Sequence, residues 1–219
     1  MRSPSAAPRV THGKREATKT RNRAVILTAA REVFATLGFD AATVRDIVRG
    51  TDLAVGTFYQ YFRDKNDVFA AVAEETLRDL RARLREYRTE STVPFEARIF
   101  NTYFAFFEMV VHERRLFEVL DRNIAPLVSD ISFASTRTAL AEIREDLWPL
   151  LQAEHVSTAD LDYFAAASIG VGMMVARQLL ERAEPDAAEA AGFCTTMILK
   201  GIRGRVQDSA AAPKIERSA

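Results

Sequence analysis

Cysteine is almost absent from this 219-residue chain, with Cys194 the single example. One thiol cannot close an intrachain disulfide, and a multi-cysteine zinc site is excluded. That usage suits a reducing compartment. Histidine is scarce too: His12, His112 and His155 are scattered, and His112-Glu113-Arg114-Arg115 lacks the second histidine of a zinc-helix motif. The nine glycines form no phosphate-binding loop and no nucleophile elbow. No cofactor or metal site is therefore expected, and an enzyme is not the expected class. Long apolar runs are missing as well. The longest charge-free one after the N-terminus, Tyr163 to Ala176, is too short to span a bilayer, and the first residues contain no apolar signal region. The expectation is a soluble, cytoplasmic protein without a membrane partner.

Net charge is also absent, with 30 Lys and Arg against 30 Asp and Glu, yet the balance is uneven along the chain. Residues 1–65 carry 12 basic against 6 acidic side chains, and the remainder carries 18 against 24. A basic end on an acidic body suits approach to a polyanion, although a solvated basic tail has the same composition. What is plentiful is apolar content, 48% of residues, enough for a proper core at this length. Its period is helical nearly throughout, without alternating strands bounded by hairpin turns.

The spacing predicts an all-α protein of about nine helices in two parts. Residues 1–18 read as a disordered basic arm, 19–65 as a first domain, 66–206 as a larger second one, and 207–219 as a disordered tail. The first helix runs from about Lys19 to Leu37, with Gly38 at a left-handed cap position. Thr43 and Asp46 form a capping box for a short second helix ending near Gly50. A tight connection, Thr51 to Ala54, leads to a third helix, Val55 to Tyr61. Asp64 and Asp67 open a fourth that continues to about Arg88. Five further helices are expected over about 94–112, 113–123, 129–154, 158–182 and from residue 186 to near Gly204.

Two short helices across a four-residue turn are the ingredients of a helix-turn-helix. Val44, Ile47, Val48, Leu53, Phe58 and Phe62 supply its apolar seat. Gly56 would let the backbone come close to a major groove, beside the hydroxyl and methyl of Thr57. Tyr59, Tyr61 and Lys65 along the flank carry groups that bind phosphate oxygens. Arg21 and Arg23, next to the first helix, are further phosphate candidates, and the arm before them could enter a minor groove.

The run Ile26-Leu27-Thr28-Ala29-Ala30, Val33-Phe34, Gly38-Phe39, Thr43-Val44-Arg45-Asp46-Ile47, Gly56-Thr57-Phe58-Tyr59-Gln60-Tyr61-Phe62 and Lys65 resembles the N-terminal domain of the tetracycline-repressor (TetR) family. The resemblance covers Ile26 to Val72. It implies a homodimer on a palindromic operator, with Val55 to Tyr61 as recognition helix. By the same likeness, Arg45 is a base-reading arginine suited to guanine, and Thr43 binds phosphate through its N–H and hydroxyl. Val55, Gly56 and Thr57 lie at the groove, Tyr59 and Tyr61 are phosphate contacts, and Lys65 is a phosphate clamp. The chain departs from the family at the turn: Thr51-Asp52-Leu53-Ala54 stands where Ala-Gly-Val-Ser is usual. The missing serine removes one expected phosphate contact.

The second part is rich in aromatics. Phe100, Tyr103, Phe104 and Phe107 share one helix face, a stripe that is either core or the wall of an apolar ligand cavity. Trp148, Phe164, Met173 and Met174 would join such a wall, and Arg177, or Arg114, Arg115 or Arg122, would meet the polar end of an acidic ligand. The expected effector is small and hydrophobic, fatty acyl or aromatic. Small residues such as Ala165, Ala166, Gly170, Gly172, Ala187 and Ala191 suit a four-helix dimer seam, as the resemblance implies. The favoured reading is a ligand-released repressor, and the alternative is a DNA-binding regulator with a closed core answering to a protein partner.

Overall fold

The computed structural model describes residues 10–127, 129–152 and 157–211. Nine helices occur among them: α1 (Val10–Ala41), α2 (Val44–Arg49), α3 (Val55–Phe58), α4 (Lys65–Thr89), α5 (Phe95–His112), α6 (Arg114–Leu127), α7 (Ser129–Gln152), α8 (Thr158–Leu180) and α9 (Ala187–Ala211). The all-α expectation holds for the described residues. Helix α1 begins at Val10, inside the segment expected to be a disordered arm; residues 1–9 of that arm lie outside the described residues. Lys14, Arg15, Glu16 and Ala17 are good helix formers, and extending an existing helix escapes the cost of nucleation. The same reason carries α9 to Ala211 through an alanine-rich segment expected to be tail, of which 212–219 lie outside the described residues. Helix α6 reaches past Pro126 to Leu127, four residues beyond its expected end at residue 123.

The chain divides into two compact units. The first runs to Glu75 and takes in Glu118–Ser129; the second holds Thr76–Phe117 and the chain from Asp130 on. The division therefore falls inside α4 rather than at residue 65.

In the first unit α1 contributes Ile26, Leu27, Ala30 and Phe34 to a buried face, and α2 adds Ile47 and Val48. Phe58, Phe62, Val68, Phe69 and Val72 complete the core. Phe34 meets Phe69 edge-on at 5.3 Å between ring centres, and Phe39 meets it at 4.8 Å. Such edge contacts add to the burial of rings already worth about 1.5–3 kcal/mol each. Gly50 ends α2 where a Cβ would come within 3.3 Å of Ala29, so α1 and the end of α2 pack closely.

Gly38 interrupts α1 with φ 77° and ψ 169°. The expected cap was left-handed helical; the observed ψ is extended, in a region open essentially to glycine alone. A Cβ there meets nothing within 4 Å. Gly38→Ala is therefore expected to cost about 1–3 kcal/mol through backbone strain alone, measurable by urea denaturation of the two proteins.

In the second unit α5, α8 and α9 pack together around Tyr103, Phe107, Val110, Leu161, Ala176 and Cys194. The α5 stripe forms two stacked pairs, Phe100 on Phe104 and Tyr103 on Phe107, each with centres 6.0 Å apart. At Gly172 a Cβ would sit 3.3 Å from the Tyr103 ring, so α8 needs a glycine to lie this close to α5. Helix α8, at 23 residues and a mean hydropathy of 1.3 over its most apolar window, is long and apolar enough to cross a membrane by length and composition. The charge-free run had suggested otherwise, because it stopped at Asp162 and Arg177. Core helices of bundles pass the same test, and α8 gives Leu161, Ala165, Gly172, Ala176, Leu179 and Leu180 to a packed interior.

Candidate nucleic-acid interface

The second helix starts as its sequence demands. The Thr43 hydroxyl accepts from the Asp46 N–H at 3.2 Å, and the Asp46 carboxylate accepts from both the Thr43 N–H, at 3.1 Å, and the Thr43 hydroxyl, at 2.5 Å. These reciprocal bonds satisfy donors that a helix N-terminus otherwise leaves open. They also commit the two Thr43 groups expected to bind phosphate to an acceptor within the protein. A phosphate at this helix end would have to displace Asp46 or use the next N–H groups. The Thr43 hydroxyl bond first, then its backbone bond and Arg49, hold the Asp46 carboxyl below its ordinary value. The box therefore stabilises α2 above the ordinary aspartate range and is lost as pH falls through the lowered value. Thr43→Val removes the main cause, so carboxyl-detected NMR should show the Asp46 titration move upward toward the ordinary value.

The turn that departs from the family pattern is closed by its own first residue. The Thr51 hydroxyl donates to the Val48 carbonyl at 2.8 Å and accepts from the Leu53 N–H at 3.2 Å. The seat beneath is as expected: Ile47, Val48, Phe58 and Phe62 are buried, while Val44 and Leu53 are half-buried. Helix α3 is shorter than expected, ending at Phe58, and Gln60, Tyr61 and Phe62 continue in turns bonded to Thr57 and Phe58.

Around this scaffold the candidate contacts separate into two sets. Arg45, Val55, Gly56, Tyr59, Arg21 and Arg23 are exposed, and Thr57 and Tyr61 are half-buried. Tyr59 keeps 56% of its surface while its ring edge rests on Phe58 at 5.4 Å. A Cβ on Gly56 would meet nothing within 4 Å, so nothing inside the chain asks for a glycine there. Arg23 lies over the Phe62 ring at 5.5 Å, which brings this part of α1 next to the turns that follow α3. Lys65 differs from its expected role. Its ammonium donates to the carbonyls of Phe39, at 2.7 Å, and Asp40, at 3.1 Å, and sits 4.4 Å from the Phe39 ring centre. A cation at the end of α1 satisfies terminal carbonyls, which leaves one N–H for a phosphate. Arg49 and Arg63, exposed on the same unit and paired with Asp46 and Asp67, were not among the expected contacts.

In the second unit the expected ligand residues also divide. Phe107 is fully buried and Tyr103 nearly so, with the Tyr103 hydroxyl donating to the Ser168 carbonyl at 3.0 Å. Burial raises the Tyr103 pKa, with Cys194 contributing. Phe100, Phe104, Trp148 and Phe164 are half-buried against the same core. Met174 and Arg177 do not join them. Met174 keeps 57% of its surface, and an Arg177 N–H points to its sulfur at 3.4 Å. Gly172 and Ala176 face the core on either side, so residue 174 is turned about half a revolution away. Arg114, Arg115 and Arg122 are exposed. Burial pushes the Cys194 thiol up to about 11, the opposite of an activated nucleophile.

One cluster escaped the sequence reading. Arg81, Arg85 and Arg88 on α4 face Glu142 and Asp146 on α7, with Arg88 Nε 2.9 Å from the Asp146 carboxylate. The signal was present as helical spacing on both elements, but the two lie 58 positions apart.

A buried three-helix seat with an exposed, partly basic face over α2 and α3 defines a helix-turn-helix DNA-binding domain. The profile of the bacterial regulatory proteins, tetR family, matches residues 26–72. Residue identity to an uncharacterised helix-turn-helix-type transcriptional regulator of Bacillus subtilis, YvdT, is 43% over 70 residues, or 32% of each chain. The repressor AcnR of Corynebacterium glutamicum is 39% identical over 56 residues, 26% of this chain and 30% of that one. The chain thus matches about a third of the length of these relatives. The fold extends further: the fatty acid degradation regulator FadR from Bacillus halodurans superposes with a TM-score of 0.69 over 83% of this chain and 96% of that one, at 19% identity. Residues 26–72 of this chain are thus similar to the N-terminal domain of the tetR family of bacterial regulatory proteins.

Proposed function

We propose that the protein is a cytoplasmic transcriptional repressor that binds a palindromic operator as a homodimer and is released by a small organic effector. The observation that carries the DNA half is the exposed set Arg45, Val55, Gly56 and Tyr59, held over the buried seat of Ile47, Phe58 and Phe62. Gly56 has open space around it, which suits close approach by a partner backbone. Arg45 would read a guanine, and Arg21, Arg23, Thr57, Tyr59 and Tyr61 would meet phosphates.

The dimer half rests on the outer faces of α8 and α9. Tyr163, Ala166, Ala167, Gly170 and Met174 lie exposed at helical spacing on α8, with Phe193 and Met197 exposed on α9. Apolar rows of this kind mark association surfaces. Other small residues expected at the seam, Ala165, Gly172 and Ala191, are instead buried within the chain. Two recognition helices in such a dimer would sit about one or more helical turns of DNA apart, roughly 34–36 Å or a multiple. The effector acts by binding the two arrangements unequally, through α4, whose residues belong to both units.

A second reading has its own support. Tyr103 and Phe107 are packed, with the tyrosine hydroxyl already bonded, as in a closed core controlled by a protein partner. The test begins with selection of binding duplexes from a random pool. Fluorescence anisotropy should then give a steep fall of affinity with salt, a two-fold symmetric site, and a loss of about 1–3 kcal/mol for Arg45→Ala. Salt-insensitive or undetectable binding would sink the DNA reading. A mobility of one protomer on sizing would sink the dimer.

A further inference from the structure

We propose that Arg98 and Arg88, at the α4–α5 hairpin, form the receptor for the carboxylate of an apolar organic acid. This inference rests on the reading of the second unit as an effector domain and names the polar end of that effector.

Three guanidinium groups, Arg81, Arg85 and Arg88, gather around two carboxylates, Glu142 and Asp146, and a fourth, Arg98, bonds to the backbone of Arg88. Arginine cannot shed its proton to escape burial. Arg85 keeps 48% of its side chain in solvent, and Arg81 pairs with Glu142. Arg88 is held at 12% exposure, with its Nε on Asp146 and its Nη2 3.7 Å from Glu142, beyond hydrogen-bond reach. Arg98 has no carboxylate within ion-pair distance among the described residues. Its Nη1 reaches only the Arg88 carbonyl, at 3.4 Å, and its plane lies 5.9 Å from the Phe95 ring centre.

Both arginines therefore present a buried N–H without an acceptor: Nη2 of Arg88 and Nε of Arg98. Buried donors of this kind are rare and call for an acceptor. The bond from the Arg98 guanidinium to the Arg88 backbone carbonyl holds the Arg98 side chain beside the end of α4 that carries Arg88. Arg98 also stands at the end of the first turn of α5, an 18-residue helix whose dipole favours an anion there. A planar, two-oxygen acceptor matches a guanidinium edge better than a point anion does. The neighbouring half-buried side chains, Phe95, Ile99 and Phe100, are apolar, so the acid would have a hydrocarbon or aromatic body. Arg114, Arg115, Arg122 and Arg177 are all exposed, whereas Arg88 and Arg98 are half-buried. An acid here would also compete with Asp146 and Glu142 for Arg88, loosening α4 from α7.

The test uses the full chain and matched pairs of probes: decanoate with decanol, and naphthoate with naphthylmethanol. Melting temperatures are followed for wild type, Arg98→Gln and Arg98→Lys, with inorganic phosphate as the anion control. The expected result is that an acid raises the wild-type melting temperature more than its alcohol does. Arg98→Gln should weaken the acid by about tenfold or more, the scale of one lost charged hydrogen bond, and leave the alcohol unchanged. Arg98→Lys should fall between. Equal response to acid and alcohol in both pairs, an unaffected Arg98→Gln, or phosphate matching the acids overturns the proposal. DNA binding is measured on the same preparations. If it persists while acid preference is absent, this inference fails and the regulator reading stands; the reverse pattern leaves the site standing and removes the regulator reading.

Discussion

Phe69→Ala should destabilise the first unit by about 3–5 kcal/mol and abolish DNA binding near its melting temperature. The ring is fully buried and lies edge-on against both Phe34 and Phe39, so alanine leaves a cavity lined by two aromatic faces. Aromatic truncations in such sites cost this much, because the lost transfer free energy is joined by a cavity that closes only partly. Phe39 is also the residue whose carbonyl and ring hold the Lys65 ammonium, so that contact should loosen with it. The chain offers a clean reporter. Its single tryptophan, Trp148, lies in the second unit. In urea, circular dichroism of the variant should show an early loss of helix that tryptophan fluorescence does not follow. Coincident transitions by both probes, or a cost below about 1 kcal/mol, would show that this ring is not the keystone its packing implies. Phe69→Leu, which refills most of the volume, should recover more than half of the loss.

Asp146→Ala should do the opposite: lower the second unit by about 3 kcal/mol, with the tryptophan signal moving first. The Asp146 side chain is 5% exposed and accepts from Arg88, itself 12% exposed. Removing the carboxylate leaves a guanidinium that cannot neutralise itself with only the longer 3.7 Å contact to Glu142, and that penalty exceeds the worth of the pair. Replacing both partners, Asp146→Ala with Arg88→Met, should regain a large part of the loss, since apolar side chains of similar volume need no counterion. A single-variant cost of a few tenths of a kcal/mol would instead place the pair among solvent-screened surface bridges. Arg144 and Asp162, by contrast, lie 3.4 Å apart with 51% and 56% exposure, and their removal should scarcely register.

Much of this was legible in the residues alone, for local reasons. The α2 capping box requires only two side chains three positions apart, and it forms as expected between Thr43 and Asp46. The seat of Ile47, Val48, Phe58 and Phe62 follows from a helical period, and so do the aromatic pairs along α5. Helix ends were less legible. Val10 and Ala211 extend α1 and α9 beyond their expected limits, because propagation is cheap and a single glycine, Gly13 or Gly204, does not stop it.

Chain order and residue type by themselves determined the helices, the turn between α2 and α3, and the likeness of residues 26–72 to the tetR family of bacterial regulatory proteins, since each depends on spacing within a few turns. Only the tertiary structure decided where charges spend their bonds. Lys65 faces the last carbonyls of α1, 26 positions back, and Arg88 finds Asp146, 58 positions on. It also turned Met174 outward while Gly172, two residues earlier, faced Tyr103. A long cation is equally at home on a phosphate, a carbonyl or a distant carboxylate. Its choice depends on what folding brings within about 3 Å, and no local pattern encodes that distance.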